Sequence, residues 1–206
     1  MTPAPPHDRR TTRVHLVRHG HVHNPRRMVY GRLPGWTLSK KGRAQAEAVA
    51  RALGGRPIAA LYSSPLERAQ ETAAILSRAL GVPVRVRDDL IESALAAQWE
   101  GLSWPHVWVW RRAEWETYRK RPLELKAPEP LVDLARRMAA TIRDIAAAHP
   151  GEEVVAVSHG DPIKAAVIAL TEGDLARLHV HRLPTGGRIT LEVDAGGRAK
   201  VLERGG

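Results

Sequence analysis

No cysteine occurs among the 206 residues, which removes disulfide cross-links and thiolate nucleophiles from the chemistry open to this chain. Long apolar runs are missing as well. The longest stop at about ten residues, where a membrane-spanning helix needs roughly twenty, so no transmembrane segment and no membrane partner is expected. The opening MTPAPPHDRRTTR lacks the apolar core of a secretory leader and reads as a loose tail over residues 1–12. Internal repeats are absent. These absences point to a cytoplasmic protein with a single domain over residues 13–206, a length that suits one well-buried α/β unit and is short for two.

Acidic residues are the scarcer charge: 22 Asp and Glu stand against 32 Lys and Arg, a formal net charge of +10. Such a balance admits nucleic acid, anionic membranes or small phosphorylated molecules as partners. The basic residues are scattered in pairs, Arg26-Arg27, Arg111-Arg112 and Arg136-Arg137, with no single tract or nucleic-acid motif. Solvated surface charge is therefore the better reading, and no nucleic-acid partner is expected. Oligomeric state is not set by the sequence, which is compatible with a homodimer.

What is present is organised around Val14-His15-Leu16-Val17-Arg18-His19-Gly20, an apolar run that ends abruptly in arginine, histidine and glycine. It reads as a buried parallel strand, with Gly20 allowing a sharp turn beyond it. Arg18 and His19 then lie at the strand's carboxyl end, where open α/β sheets place their ligands. The pattern returns in Glu153 to Ser158 followed by His159-Gly160.

Between these runs the spacing predicts a helix from a Ser39 cap to Gly54, with Ala44, Ala48, Val49 and Ala52 as its stripe, then a strand over 58–62. Ser63-Ser64-Pro65 reads as the capped start of a helix reaching Leu80, with Leu66, Ala69, Ala73, Leu76 and Leu80 inward and Arg68 in its first turn, a favourable setting for an anion. A strand over 82–86 follows. Residues 93–130 are the compositional outlier, carrying Trp99, Trp104, Trp108, Trp110 and Trp115, and read as a lid with one short helix from Pro105 to about Arg119. Packing within the lid accounts for these tryptophans better than substrate stacking does. A long amphipathic helix over 131–148, a helix opened by Asp161-Pro162, and strands over 178–183, 188–193 and 199–202 complete the chain. Helices alternating with strands predict a three-layer α/β/α sandwich with a mostly parallel central sheet and room for an antiparallel edge.

Phosphoryl transfer to a side chain needs a neutral nucleophile, cations on the equatorial oxygens and an acid at the leaving oxygen. His19 fits the first task and Arg18 and Arg68 the second, their charge also disfavouring the imidazolium. His159 adds a hydrogen-bonding wall. Glu92, after the apolar Leu90-Ile91, suits the acid, and Asn24 is placed to add an amide contact.

Arg18-His19-Gly20, the segment Ser63 to Thr72, Glu92 and Ser158-His159-Gly160 together resemble the histidine phosphatase superfamily, the phosphoglycerate mutase-like fold, in order and spacing over about residues 13–170. The resemblance implies that His19 is phosphorylated, that Arg18, Arg68 and His159, with Gly160 beside them, form a pocket for a small phosphorylated substrate, and that Glu92 donates the proton. It implies neither a metal nor an organic cofactor. Departures from the common pattern are His21-Val22 in place of an acidic residue and Ser or Thr, Asn24 one position early, and Glu129-Pro130 in place of Glu-Ser. Three other readings stand beside a phosphatase. One is a phosphomutase. Another is a metal-dependent hydrolase on His19, His21 and His23, with His15 and Asp161 as further ligands. The third is a non-catalytic binder of phosphorylated ligands.

Overall fold

A computed structural model describes residues 11–171 and 173–205. Its strands are β1 (Thr12–Arg18), β2 (Ile58–Ser63), β3 (Val84–Val86), β4 (Glu153–Ser158), β5 (Arg188–Val193) and β6 (Ala199–Gly205). The helices are α1 (Lys40–Leu53), α2 (Glu67–Leu80), α3 (Trp104–Trp110), α4 (Arg112–Lys120), α5 (Leu131–Ala147) and α6 (Gly160–Leu170). The sheet runs β3-β2-β4-β1-β5-β6. β1 to β4 are mutually parallel, while β5 and β6 pair antiparallel at one edge.

Side chains alternate across a strand, so β1 serves two layers. Val14 and Leu16 pack with α5 and α6 through Leu134, Met138, Ile142 and Ile163. Val17 packs on the other face with α1 and α2, against Val49, Leu53, Ala69 and Leu76. The result is the three-layer α/β/α sandwich. Its central neighbours β1 and β4 are in register with Arg18 opposite Ser158. From β1 the chain passes to α1 on one face, and from β4 to α6 on the other. Strand order therefore reverses at this pair, where a crevice opens at the carboxyl ends, and His19 and His159 each stand one residue beyond.

Several expectations need correction. The segment 178–183 is not a strand but a loop after a 3-10 turn at Leu175–Arg177, with Leu178 and Leu183 buried and Val180 exposed. Its main chain bonds locally, the Leu178 and Val180 N–H groups donating to the Leu175 and Arg177 carbonyls, and its Leu183 carbonyl accepts from Arg18. The stripe of α1 is Gly42, Ala46, Val49, Ala50 and Leu53, whereas Ala44, Ala48 and Ala52 are exposed. Alanine on so many positions hides the period. Helix α2 starts at Glu67 with Leu66 as its uncapped N-cap rather than at Ser64. The lid holds two helices, broken at Arg111. Thr12 belongs to β1 and is buried, so the expected tail is shorter by at least this residue, and its first ten lie outside the described residues. Among the described residues no helix is long and apolar enough to cross a membrane.

Candidate active site

Gly20 makes its contribution by close approach rather than by a special turn. A Cβ there would sit 2.3 Å from the Gly42 carbonyl oxygen, and one on Gly42 would sit 2.1 Å from that of His21. The backbone beyond β1 thus presses directly on the start of α1, which Ser39 caps by accepting from the Gly42 N–H. Thr72 of α2 completes this support, accepting from the Gly20 N–H at 3.1 Å and donating to the Arg68 carbonyl at 2.8 Å.

The His19 ring is held from one side only. Its Nδ1 donates to the Gly20 carbonyl at 2.8 Å, and because a carbonyl can only accept, this fixes the proton on Nδ1 and leaves a lone pair on Nε2. Burial, then the Arg68 and Arg18 guanidinium groups, keep the imidazole well below its ordinary pKa. A neutral nucleophile is the consequence.

His159 faces it, with ring centroids 5.1 Å apart. Ser64 Oγ lies 2.7 Å from His159 Nε2 and also accepts a long bond from the Leu66 N–H. The hydroxyl can donate its proton to Nε2, an arrangement that keeps the imidazole proton on Nδ1. That Nδ1 is 3.7 Å from Glu92 Oε2 and has no hydrogen-bond partner. Burial, then Arg68, His19 and Arg18, hold His159 well below its ordinary pKa too.

Arg68 is fully buried and makes no carboxylate ion pair among the described residues. Its Nη2 donates to the Gly31 carbonyl at 2.6 Å and Tyr30 lies across it at 4.8 Å, yet Nε and Nη1 have no partner. Arg18 donates from Nη1 to the Leu183 carbonyl at 2.7 Å, and its buried Nε is likewise unpartnered. A Cβ on Gly160 would come within 3.2 Å of the Arg18 guanidinium carbon, so glycine there makes room for that group. Buried donors left without acceptors are costly. Here there are four such nitrogens, Arg18 Nε, Arg68 Nε and Nη1, and His159 Nδ1, all on groups that act on or face the His19 ring.

Glu92 accepts from the Ser93 N–H at 2.9 Å. Its carboxyl is pushed up by burial and then by the Asp161 charge, against the pull of Arg68, the direction an acid catalyst needs. The main chain at this point is clamped from afar: Arg32 Nε donates to the Glu92 carbonyl at 2.7 Å and Arg137 Nη1 to the Ile91 carbonyl at 3.3 Å. Glu129 ties the clamp together, accepting from Arg32, Arg137 and the Ala94 N–H. None of Ser64, Tyr30, Arg32, Glu129 and Arg137 stood out as part of the site in the sequence. Ser64 was visible as a helix-start signal and as part of the Ser63 to Thr72 segment, and Glu129 only as a departure from the common pattern.

Asn24 is not brought to this cluster. Its amide clasps the Met28 main chain from both sides at 2.8 Å, closing the loop between β1 and α1. The proposed ligand set of His19, His21 and His23, with His15 and Asp161 beside them, does not assemble either, Asp161 being engaged by Lys164 and Tyr118. His15 lies within the sheet layers against Thr190 and Glu153, His21 is exposed against Ser39, and His23 is exposed. Beyond Arg18 the chain leaves the sheet, and alternation no longer holds residues 19, 21 and 23 on one face. Among the described residues the set of His and acidic groups close enough to share a metal is His19, Glu92 and His159, within 4.8 Å of one another. Two guanidinium groups act on that set, which favours an anion there over a cation.

Above the cluster opens a cavity of about 490 Å³ bordered by Arg18, Glu92 and Gly160, with Trp104, Trp115 and Tyr118 of the lid on its far side. Trp99 is the buried centre of the lid, packed with Val29 and Val107 and donating from Nε1 to Glu114 at 2.8 Å. Trp108 and Trp110 are exposed.

A family model, described as histidine phosphatase superfamily (branch 1), matches residues 14–204. The chain is 45% identical over 154 residues to an uncharacterized protein of Mycobacterium tuberculosis, covering 74% of this chain and 75% of that one. It is 34% identical over 173 residues to a glucosyl-3-phosphoglycerate phosphatase of the same species, covering 78% and 76%. A solved mycobacterial glucosyl-3-phosphoglycerate phosphatase, in complex with VO3, superposes with a TM-score of 0.83 at 27% identity over 94% of this chain and 99% of that one. With the motif-bearing strands, the crevice and the family match in agreement, this chain belongs to the histidine phosphatase superfamily, branch 1.

Proposed function

We propose that the chain is a phosphomonoesterase that works through a phosphohistidine on His19. One observation carries this reading: four buried, unpartnered nitrogens from two arginines and a histidine border a neutral imidazole whose tautomer is already set. A tetrahedral dianion supplies the acceptors those nitrogens lack. A relative that binds VO3, an analogue of the phosphoryl group, supports the same use of the crevice.

In the first step the His19 Nε2 lone pair forms a bond to phosphorus as the ester P–O bond breaks. The departing oxygen takes the proton from Glu92. Arg18, Arg68 and His159 Nδ1 hold the three equatorial oxygens, whose charge is greatest in the transition state. In the second step water attacks phosphorus, the Glu92 carboxylate takes its proton and the P–N bond breaks, releasing inorganic phosphate and restoring the enzyme. Solvent access to the phosphoryl group decides between this hydrolysis and return of the group to a second acceptor.

His19→Ala is expected to abolish turnover of p-nitrophenyl phosphate and of alkyl phosphates, and wild-type protein quenched in alkali is expected to carry an acid-labile label on His19. Inhibition by vanadate without inhibition by EDTA is the accompanying pattern. A fully active His19→Ala ends the proposal, and phosphate transferred to a second substrate in place of free phosphate replaces it with a mutase.

A further inference from the structure

The cavity is far larger than a phosphoryl group requires, falling in the range of roughly 300–1,000 Å³ found for pockets that enclose whole small molecules. Its surplus lies along one wall made of consecutive rings. Trp104 meets Trp115 at 5.3 Å between centroids, Trp115 stacks on Tyr118 at 5.5 Å, and Tyr118 meets His179 at 4.2 Å. All four border the same space. Trp99 packs edge-on behind three of these rings and the Tyr118 hydroxyl donates to Asp161 Oδ2 at 2.6 Å, so the wall is set before any ligand arrives.

The carboxylate on this side is already engaged. Asp161 is taken up by Tyr118 on one oxygen and by Lys164 at 2.8 Å on the other, which also cancels the lysine's charge. Arg119 leans over Trp115 at 5.8 Å and is exposed to solvent. A flat apolar face gains ring contacts along this wall. His179 Nε2, on the ring at the end of this wall, is buried without a partner.

Building on the phosphatase reading, we infer that the alcohol part of the substrate is a planar aryl or heteroaryl group that lies along the Trp104, Trp115 and Tyr118 rings and presents one polar edge atom to His179. The structure thereby assigns leaving-group specificity to the lid, with Trp115 at the centre of the wall.

The test compares kcat/KM for 2-naphthylmethyl phosphate, glycerol 1-phosphate and glucose 6-phosphate, three alkyl esters with similar chemistry at phosphorus. Wild-type protein is expected to prefer the naphthylmethyl ester, and Trp115→Ala to lower that preference about 10-fold, the scale of an aromatic stacking contact. Trp115→Phe, which keeps a ring, is expected to retain most of it. Preference for either polyol ester, or equal loss on all three esters in Trp115→Ala, overturns the inference. Calorimetric binding of 2-naphthylmethylphosphonate, which cannot be hydrolysed, separates the two levels. If no ester turns over, the phosphatase reading fails, while tight phosphonate binding that is weakened by Trp115→Ala still upholds the ring wall. Phosphonate binding no tighter than that of inorganic phosphate sinks it.

Discussion

Replacing Glu92 by Gln removes one proton and almost no volume, so it isolates the acid step from the packing around it. Burial and the neighbouring Asp161 charge raise the carboxyl of Glu92, while Arg32 holds its carbonyl, Arg137 holds that of Ile91 and the Ser93 N–H donates to one of its carboxyl oxygens. The amide should therefore sit where the carboxyl sat. General acid catalysis is worth roughly 10²–10⁴ in rate, or about 3–5 kcal/mol, when the leaving group is a poor one. An alkyl phosphate should lose that full factor in kcat/KM. p-Nitrophenyl phosphate, whose phenolate leaves without help, should lose much less in the first step. Its phosphohistidine should then accumulate, because the base that activates water has gone too. Stopped-flow measurement should show a burst of about one p-nitrophenolate per site followed by slow turnover. The pH profile offers a second reading. Activity needs Glu92 protonated, so the wild-type rate falls as pH rises through the raised carboxyl pKa, and that alkaline limb should vanish in the variant. Equal losses on the alkyl and aryl esters, with no burst, would refute the assignment of Glu92 as the acid.

Arg68→Met keeps the buried volume but removes both unpartnered nitrogens and a charge beside His19. With charge-assisted hydrogen bonds worth about 1.5–3 kcal/mol, kcat/KM and vanadate affinity should fall about 100-fold or more. The acid limb of the rate should also shift upward, since a guanidinium that disfavours the imidazolium is lost. Gly20→Ala places a methyl 2.3 Å from the Gly42 carbonyl oxygen, backbone against backbone. A destabilisation of about 1–3 kcal/mol, seen as a Tm lowered by several degrees in calorimetry, is expected. Glu153 accepts from Arg13, Arg56 and His15 at the amino end of β4. Although burial alone would raise its pKa, His15 and Arg56 bring it down from 4.5 to about 2. This depressed group stabilises the fold above about pH 4.5, and the contribution, on the order of 3 kcal/mol, fades as pH falls through about 2. Urea titrations of Glu153→Gln at pH 7 and at acid pH should converge as the pH drops, and a gap that stays constant would remove Glu153 from the account.

Local pattern was enough to place the reactive ends of β1 and β4, because an apolar run that stops at Arg18-His19-Gly20 or Ser158-His159-Gly160 marks where a buried strand reaches the crevice. The amphipathic face of α5 was equally legible, Leu131, Leu134, Met138, Ile142 and Ile145 all being buried. The face of α1 was not, since its alanines carry little hydrophobic contrast between one side and the other. Residues 178–183 have strand-like alternation, yet their backbone groups are taken by local turns and by Arg18, a partner 165 positions away from Leu183 that only the folded chain supplies.

By itself the sequence determined the layered α/β plan, the two histidine-bearing strand ends, and the candidate set His19, Arg18, Arg68, His159 and Glu92. Tertiary structure alone decided that Ser64 orients His159, that Asn24 serves its own loop, that Glu129 joins Arg32 to Arg137 around Glu92, and that rings from the lid and the 178–183 loop form one wall. The physical reason is range. Periodicity and capping act over a few residues along the chain, whereas a hydrogen bond such as that from Arg32 to Glu129, 97 positions apart, exists only after sheet order has brought distant segments together.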